Sequence, residues 1–136
     1  MSFDSAMQTA VSGLRAQTKR LRVVAENLAN ADTTSATPGG DPFRRKTITF
    51  GSELDRATGA EEVTIKRIGR DMSDFRRTYE PGHPSADAEG YVLRPNVNRM
   101  VEIMDMQEAQ RSYEANLTML TGARNMLQRT IDLLRS

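Results

Sequence analysis

The chain has 136 residues, no cysteine, no tryptophan and one histidine, and its 19 Lys plus Arg against 18 Asp plus Glu leave a net charge of +1. That length suits one ordinary domain, and the near-neutral balance argues against a dedicated binder of nucleic acid or anionic membrane. Without cysteine there are no disulfides, thiolate metal sites or cysteine nucleophiles, and a single histidine excludes HExxH zinc chemistry.

Hydrophobic residues make up 38% of the chain, below the roughly 45–50% of average domains. No stretch approaches the roughly 18 apolar residues of a membrane span. The N-terminus is not expected to be a cleaved signal peptide. Asp4 precedes a stretch broken by Ser5, Gln8, Thr9 and Ser12, without a basic region followed by an apolar one.

The composition changes twice, near residues 30 and 95. All five prolines and seven of the nine glycines lie between those points. Both residue types oppose helix, so the ends are free to be helical and the middle is not. The expected organisation is an N-terminal helix over 1–30, a loop-rich β-containing insert over 31–95 and a C-terminal helix over 96–136.

In the first helix, Met7, Leu14, Leu21 and Leu28 recur every seven residues, with Phe3, Ala10 and Val24 on adjoining positions. Asp4 near its start suits the helix dipole.

The insert opens on a polar loop, ADTTSATPGGDP. Short β-prone runs follow at Lys46–Phe50, Val63–Ile68, Asp74–Tyr79 and Tyr91–Leu93. Turn residues separate them: Thr58-Gly59, Pro81-Gly82 and Glu89-Gly90.

The last helix is predicted from about Asn98 to Leu134, with Asn98 as N-cap and Glu102 in its first turn. Met106, Tyr113, Leu120, Leu127 and Leu134 recur every seven residues. Ile103, Leu117 and Ile131 fill the other seam position, interrupted by Gln110 and Arg124. Such a helix would be roughly 55 Å long, whereas a compact globule of this size is only about 37 Å across. The fold class is therefore mainly α: an elongated, coiled-coil-like pair of long terminal helices with a small β insert. The helices pack on each other, on other subunits, or both. Met100, Met104, Met106, Met119 and Met126 either fill gaps in the core or form an adaptable surface.

Chemistry is hard to find. His83 lies near Asp87 in PGHPSAD, but no nucleophile motif accompanies it, and a histidine in a turn is usually only that. Gly39-Gly40 is not a phosphate loop, and Asp32 and Asp41 lack the register of a calcium loop. The basic clusters Arg44-Arg45-Lys46, Lys66-Arg67 and Arg76-Arg77 alternate with acidic residues, as on a solvated surface or a subunit interface. No catalytic residue, cofactor or metal site is expected.

Read together, the two ends resemble those of the bacterial flagellar basal-body rod proteins. Ala6–Thr34 is similar to the N-terminal signature shared by rod, hook and hook-junction proteins, with its Ser12-Gly13-Leu14 step and the ENLAN run at Glu26–Asn30. Thr37–Lys46, Tyr79–Asn98 and Glu102–Leu120 narrow the resemblance to proximal-rod subunits of the FlgC type. The most telling run is RSYEANL at Arg111–Leu117; Phe43, where similar sequences often have Tyr, is a minor departure.

The resemblance implies export by the flagellar type III apparatus without signal cleavage. It implies helical assembly in the periplasmic rod and transmission of motor torque. The implied partners are other rod subunits, copies of the chain itself, and the export-gate and MS-ring adaptor at the rod base. It implies no nucleic acid and no membrane insertion. Within the subunit, Met7, Leu14, Leu21 and Leu28 are expected to pack against Tyr113, Leu120, Leu127 and Leu134. Asn27 and Asn30 are expected to end the first helix. Motif and subunit-contact positions are Gly13, Asn27, Asn30, Pro38, Arg44, Arg45, Lys46, Pro81, His83, Arg111 and Asn116. The competing reading is a soluble helical adaptor or chaperone whose stripes engage one partner helix.

Overall fold

A computed structural model describes residues 2–136. The element order is α1 (Phe3–Ala29), β1 (Lys46–Asp55), β2 (Ala60–Arg70), β3 (Arg76–Tyr79), β4 (Tyr91–Arg94) and α2 (Arg99–Arg135). The protein is thus mainly α with a small β insert. No helix among the described residues is long and apolar enough to cross a membrane.

Both helices begin at side-chain caps. The Ser2 hydroxyl accepts from the Ser5 N–H at 3.1 Å, and the Asn98 side chain accepts from the Met100 N–H at 3.1 Å. Asn98 is therefore the N-cap that its place in the sequence suggests. Asn30 follows the last residue of α1: its side-chain amide donates to the Glu26 carbonyl at 2.9 Å, beside the backbone bond of 3.1 Å from its own N–H to the same carbonyl. Asn27 does not end the helix. It lies inside α1, and its side chain has another task, described below.

The strands form two hairpins, β1–β2 and β3–β4. The four residues between β1 and β2 are too few for a parallel crossover, so that pair is antiparallel. Its turn is held by Asp55, whose carbonyl accepts from the Gly59 N–H at 2.7 Å and whose carboxylate accepts from the Ala57 N–H at 2.9 Å. Gly59 has φ of 74°, a conformation that glycine adopts without steric cost. The β3–β4 pair is antiparallel in the register Arg76↔Arg94, Arg77↔Leu93, Thr78↔Val92 and Tyr79↔Tyr91. The Tyr79 and Tyr91 rings meet edge-on at 5.3 Å, and Arg94 grips Glu80 through two bonds of 2.8 and 2.9 Å. β1 and β2 run well beyond the apolar runs expected at Lys46–Phe50 and Val63–Ile68. Backbone pairing continues through polar residues once a hairpin has set the register.

The chain divides into two compact units. The first comprises the chain up to Leu21, Thr49–Arg67 and Gln107–Ser136. Its buried residues are small: Ala10, Ser12, Gly13, Ala16, Ala60 and Ala109. The second comprises Arg22–Ile48 and Ile68–Met106. It buries Val23, Val24, Ala31, Val92, Pro95 and Val97 around the polar pair Asn27 and Glu102. A chain of low apolar content thus builds its cores from small side chains and satisfied polar groups.

Candidate assembly surface

The buried faces of the helices do not follow their largest apolar residues. On α2 the shielded positions are Glu102, Asp105, Met106, Ala109, Ser112, Tyr113, Asn116, Leu120, Ala123 and Leu127. Apart from Asp105 and Ser112, their spacing alternates four and three, the heptad alternation of a seam. One row holds Met106, Tyr113, Leu120 and Leu127, four of the five residues expected to recur there; the fifth, Leu134, is 83% exposed. The other is Glu102–Ala109–Asn116–Ala123, not Ile103–Leu117–Ile131. Ile103, Leu117 and Ile131 are exposed by 41%, 45% and 38%. On α1, Met7, Leu14, Leu21 and Leu28 are half-buried flanks, and the deepest positions are Ser5, Ala10, Gly13, Ala16, Val24 and Asn27.

In the first unit, this face is organised by close approach. A Cβ built on Gly13 would fall 2.7 Å from the Asn116 side chain. Seven residues along α1, Arg20 meets Glu108 at 3.2 Å, so α1 and α2 run antiparallel there. That register places Phe3 opposite about Met126. The turns of α2 beyond Leu127 have no α1 residue opposite them, and every residue from Gln128 to Ser136 is exposed. Leu134 is 83% exposed. The β1–β2 hairpin is tied to α1 by polar contacts. The Ser12 hydroxyl accepts from the Val63 N–H at 2.9 Å, and the Gln8 amide donates to Asp55 at 2.9 Å and to Glu62. The Gln8 bond and the backbone donors of the turn hold the Asp55 carboxyl below its ordinary range.

In the second unit, the Asn27 side chain behaves as a piece of backbone. Its oxygen accepts from the Lys46 N–H at 2.8 Å, and its amide donates to the Lys46 carbonyl at 2.9 Å. The same amide reaches Glu102 at 3.4 Å. Glu102 is wholly buried, and its carboxylate is paired with the Arg45 guanidinium, which also approaches Asp71 at 3.6 Å. Burial is the largest single influence on Arg45 and opposes its charge, but the bond to Glu102 and the charges of Glu102, Asp71 and Asp105 together outweigh it and its pKa is raised. Asn96 completes the network: it accepts from the Arg45 N–H at 2.8 Å and donates to the Asp71 carbonyl at 2.9 Å. Arg44 donates to the carbonyls of Asp71 and Ser73 at 2.8 and 3.0 Å and lies 4.1 Å from the Phe75 ring. Lys46 pairs with Glu26. The cluster Arg44-Arg45-Lys46 is thus engaged inside the unit.

Pro38 and Pro81 are exposed, as is Arg111 on α2. His83 is half-buried, and its Nδ1 accepts from the Ser85 N–H at 3.0 Å within its turn. Asp87 is occupied separately: its carboxylate accepts from the N–H groups of Tyr91 and Glu89, each at 2.9 Å. No acid–base pair forms between them. Among the described residues, no group of acidic residues and histidine could hold a metal ion.

The molecule also leaves large apolar side chains outside. Met100, Val101, Ile103 and Met104 are exposed in the second unit, and Leu117, Met119, Met126, Leu133 and Leu134 in the first. Of the five helix methionines considered, only Met106 is partly sheltered. The methionines form a surface and not a core. Singly, exposed apolar residues need no explanation; those on α2 are candidate positions for an assembly surface.

Comparison with known proteins agrees with an assembly part. The family model "Flagella basal body rod protein" matches residues 7–37, and "Flagellar basal body rod FlgEFG protein C-terminal" matches residues 88–133. The flagellar basal-body rod protein FlgC of Agrobacterium fabrum is 52% identical over 98% of this chain and 96% of its own length. The chain belongs to the FlgC family of flagellar basal-body rod proteins. FlgC of Salmonella typhimurium is 38% identical over 98% of both chains. FlgC of Bacillus subtilis is 36% identical over 98% of this chain and 99% of its own. Members of this FlgC family are structural rod proteins and not enzymes. The matched segments carry α1 and α2, and residues 38–87 fall between them.

Sequence reasoning missed the Asn27–Glu102–Arg45 network. Glu102 and Asn27 fall on neither apolar row of their helices, so the seven-residue recurrence does not single them out as buried polar groups in need of partners. The partner, Arg45, lies 57 residues from Glu102 in sequence, and no local pattern links them.

Proposed function

We propose that this chain is a structural subunit of the proximal flagellar rod, assembled helically with other rod proteins to transmit motor torque. The observation that carries the reading is the inversion on α2. Along one row of α2 the small and polar side chains Glu102, Ala109, Asn116 and Ala123 face inward, while Ile103, Leu117, Met119 and Met126 face outward. A lone domain gains by burying its large side chains; a subunit of a dense assembly keeps them for its neighbours. The adaptor alternative has no comparable support, because the relatives are rod proteins over nearly the whole chain.

In this reading residues 31–95 are an insert between two helices of an axial core, which pair in a coiled-coil-like seam. Met7, Leu14 and Leu21 pack toward Tyr113, Leu120 and Leu127, and Leu134 acts beyond the reach of α1. The turns around Pro38 and Pro81–Asp87 face other subunits, as does Arg111. The partners are copies of the chain, other rod subunits and the adaptor between export gate and MS ring. The chain reaches the periplasm through the type III apparatus without signal cleavage.

The test is a Leu117→Asp, Met126→Asp double variant as the sole copy in a motile strain. Both side chains are exposed, so circular dichroism and the thermal midpoint of the isolated chain are expected to match wild type. Motility and complete rods are expected to be lost. Full motility with complete rods would overturn the reading.

A further inference from the structure

The first unit carries two features that the rod reading does not absorb. One is an open cleft of about 390 Å³ between α1 and β2. Met7, Val11 and Val63 give it apolar walls, and Arg15 and Glu62 flank it with opposite charges. The other is the unopposed end of α2. Ile131 and Leu134, three residues apart, share one helix face. Asp132 and Arg135, also three apart, border that face on one side. Arg15 and Arg135 make no ion pair among the described residues, and Asp132 contacts only the Gln128 amide, at 3.1 Å.

We propose that the end of α2 of one copy docks into the α1–β2 cleft of a second copy. Ile131 and Leu134 enter between Met7, Val11 and Val63. Arg15 meets Asp132 and the negative end of the α2 dipole, and Glu62 meets Arg135. Apolar residues flanked by one acidic and one basic residue stand on each side, so polarity and charge sign match. Within one copy the match cannot close. The antiparallel register places Val11 opposite about Thr118, so Leu134 stands about 24 Å farther along the helix at 1.5 Å per residue. Each copy therefore offers an unfilled cleft at one place and an unpartnered helix end at another. Such a heterologous contact repeats from copy to copy without self-saturating, as an open helical assembly requires. The inference rests on the rod reading and names a self-contact within it.

The absence of cysteine makes the test clean. Val11→Cys and Leu134→Cys are introduced singly and together in a strain whose only copy is the variant, and oxidised basal bodies are run without reductant. A disulfide needs Cα atoms within about 7 Å, so the two sites cannot join within one copy. Dimers and higher multimers only in the double variant are the expected result. Motile cells without self-cross-links would overturn the docking while leaving the rod reading intact. A cross-linked product with the mass of another rod protein would overturn the choice of partner. Charge reversal covers the case in which the cysteines disturb assembly. Arg15→Asp and Asp132→Arg are each expected to lower motility severalfold, and together to restore it. Failure of the pair to restore what the single changes lose overturns the contact; loss of every variant's rods with unchanged folding would count against it too.

Discussion

Gly13 on α1 and Asn116 on α2 occupy one space: a methyl group on Gly13 would stand 2.7 Å from the Asn116 side chain. Asn116 is not free to leave, because its amide donates to the Ser112 carbonyl at 3.0 Å. Gly13→Ala should gain about 1 kcal/mol from helix propensity but lose about 1–3 kcal/mol to overpacking. A net loss of about 1 kcal/mol is expected in urea unfolding. Asn116→Ala in the same chain should restore the stability. A Gly13→Ala chain more stable than wild type would show that the helices can part at no cost.

Asn27 forms two hydrogen bonds with one residue's backbone, and only an amide supplies both the donor and the acceptor. Asn27→Ala leaves the N–H and C=O of Lys46 without partners. A loss of about 2–4 kcal/mol is expected, from about 1–3 kcal/mol per buried unsatisfied group. Asn27→Asp should be worse, although it is nearly isosteric. It has no donor for the Lys46 carbonyl and sets a second carboxylate beside Glu102. The order wild type, Ala, Asp in chemical denaturation checks this.

The Arg45–Glu102 pair separates two effects. Glu102 is wholly buried, so Arg45→Met alone strands a carboxylate and should cost about 3–5 kcal/mol. Arg45→Met with Glu102→Leu removes both charges and should recover most of that loss. A double-mutant cycle on thermal midpoints gives the coupling directly.

Acid should destabilise the second unit first through its bonded carboxylates. The Lys46 ammonium holds the Glu26 carboxyl below its ordinary range, the Ser73 N–H does so for Asp71, and the Tyr91 N–H for Asp87. Each folded-state value lies below the unfolded one. The unfolded chain therefore takes up protons first as pH falls, and the contribution is present above the unfolded value and lost through the folded one. Urea midpoints should change little through these groups between pH 7 and about 5, then fall steadily below about pH 4. Asp71→Asn with Asp87→Asn should flatten that fall.

The Asn98 cap offers a local control. Its side chain satisfies the Met100 N–H at the start of a 37-residue helix. Asn98→Ala should cost about 1 kcal/mol, and Asn98→Asp should cost little, because a carboxylate accepts as well and suits the dipole. Protection of the amides at Met100 and Val101 against hydrogen exchange reports the difference.

Local signals were legible in the order of residues. Confining every proline and seven of the nine glycines to 31–95 leaves both ends free for helices, since those two residues oppose helix. Asn98 before an apolar run is a cap because the capping bond spans only two or three residues. Thr58-Gly59 and Glu89-Gly90 mark turns for similarly local reasons. The seven-residue recurrence of Met106, Tyr113, Leu120, Leu127 and Leu134 marks a row whose first four members are half-buried and whose last is exposed. Tertiary structure decided which row lies beside it. Hydrophobicity favoured Ile103, Leu117 and Ile131; close approach at Gly13 required small or polar neighbours and chose Ala109, Asn116 and Ala123. The partner that makes Glu102 tolerable in a core is Arg45, carried there by a chain path that no periodicity describes. Periodicity along one helix states which residues share a face. Only the second helix, its distance and its charges determine which face is turned inward.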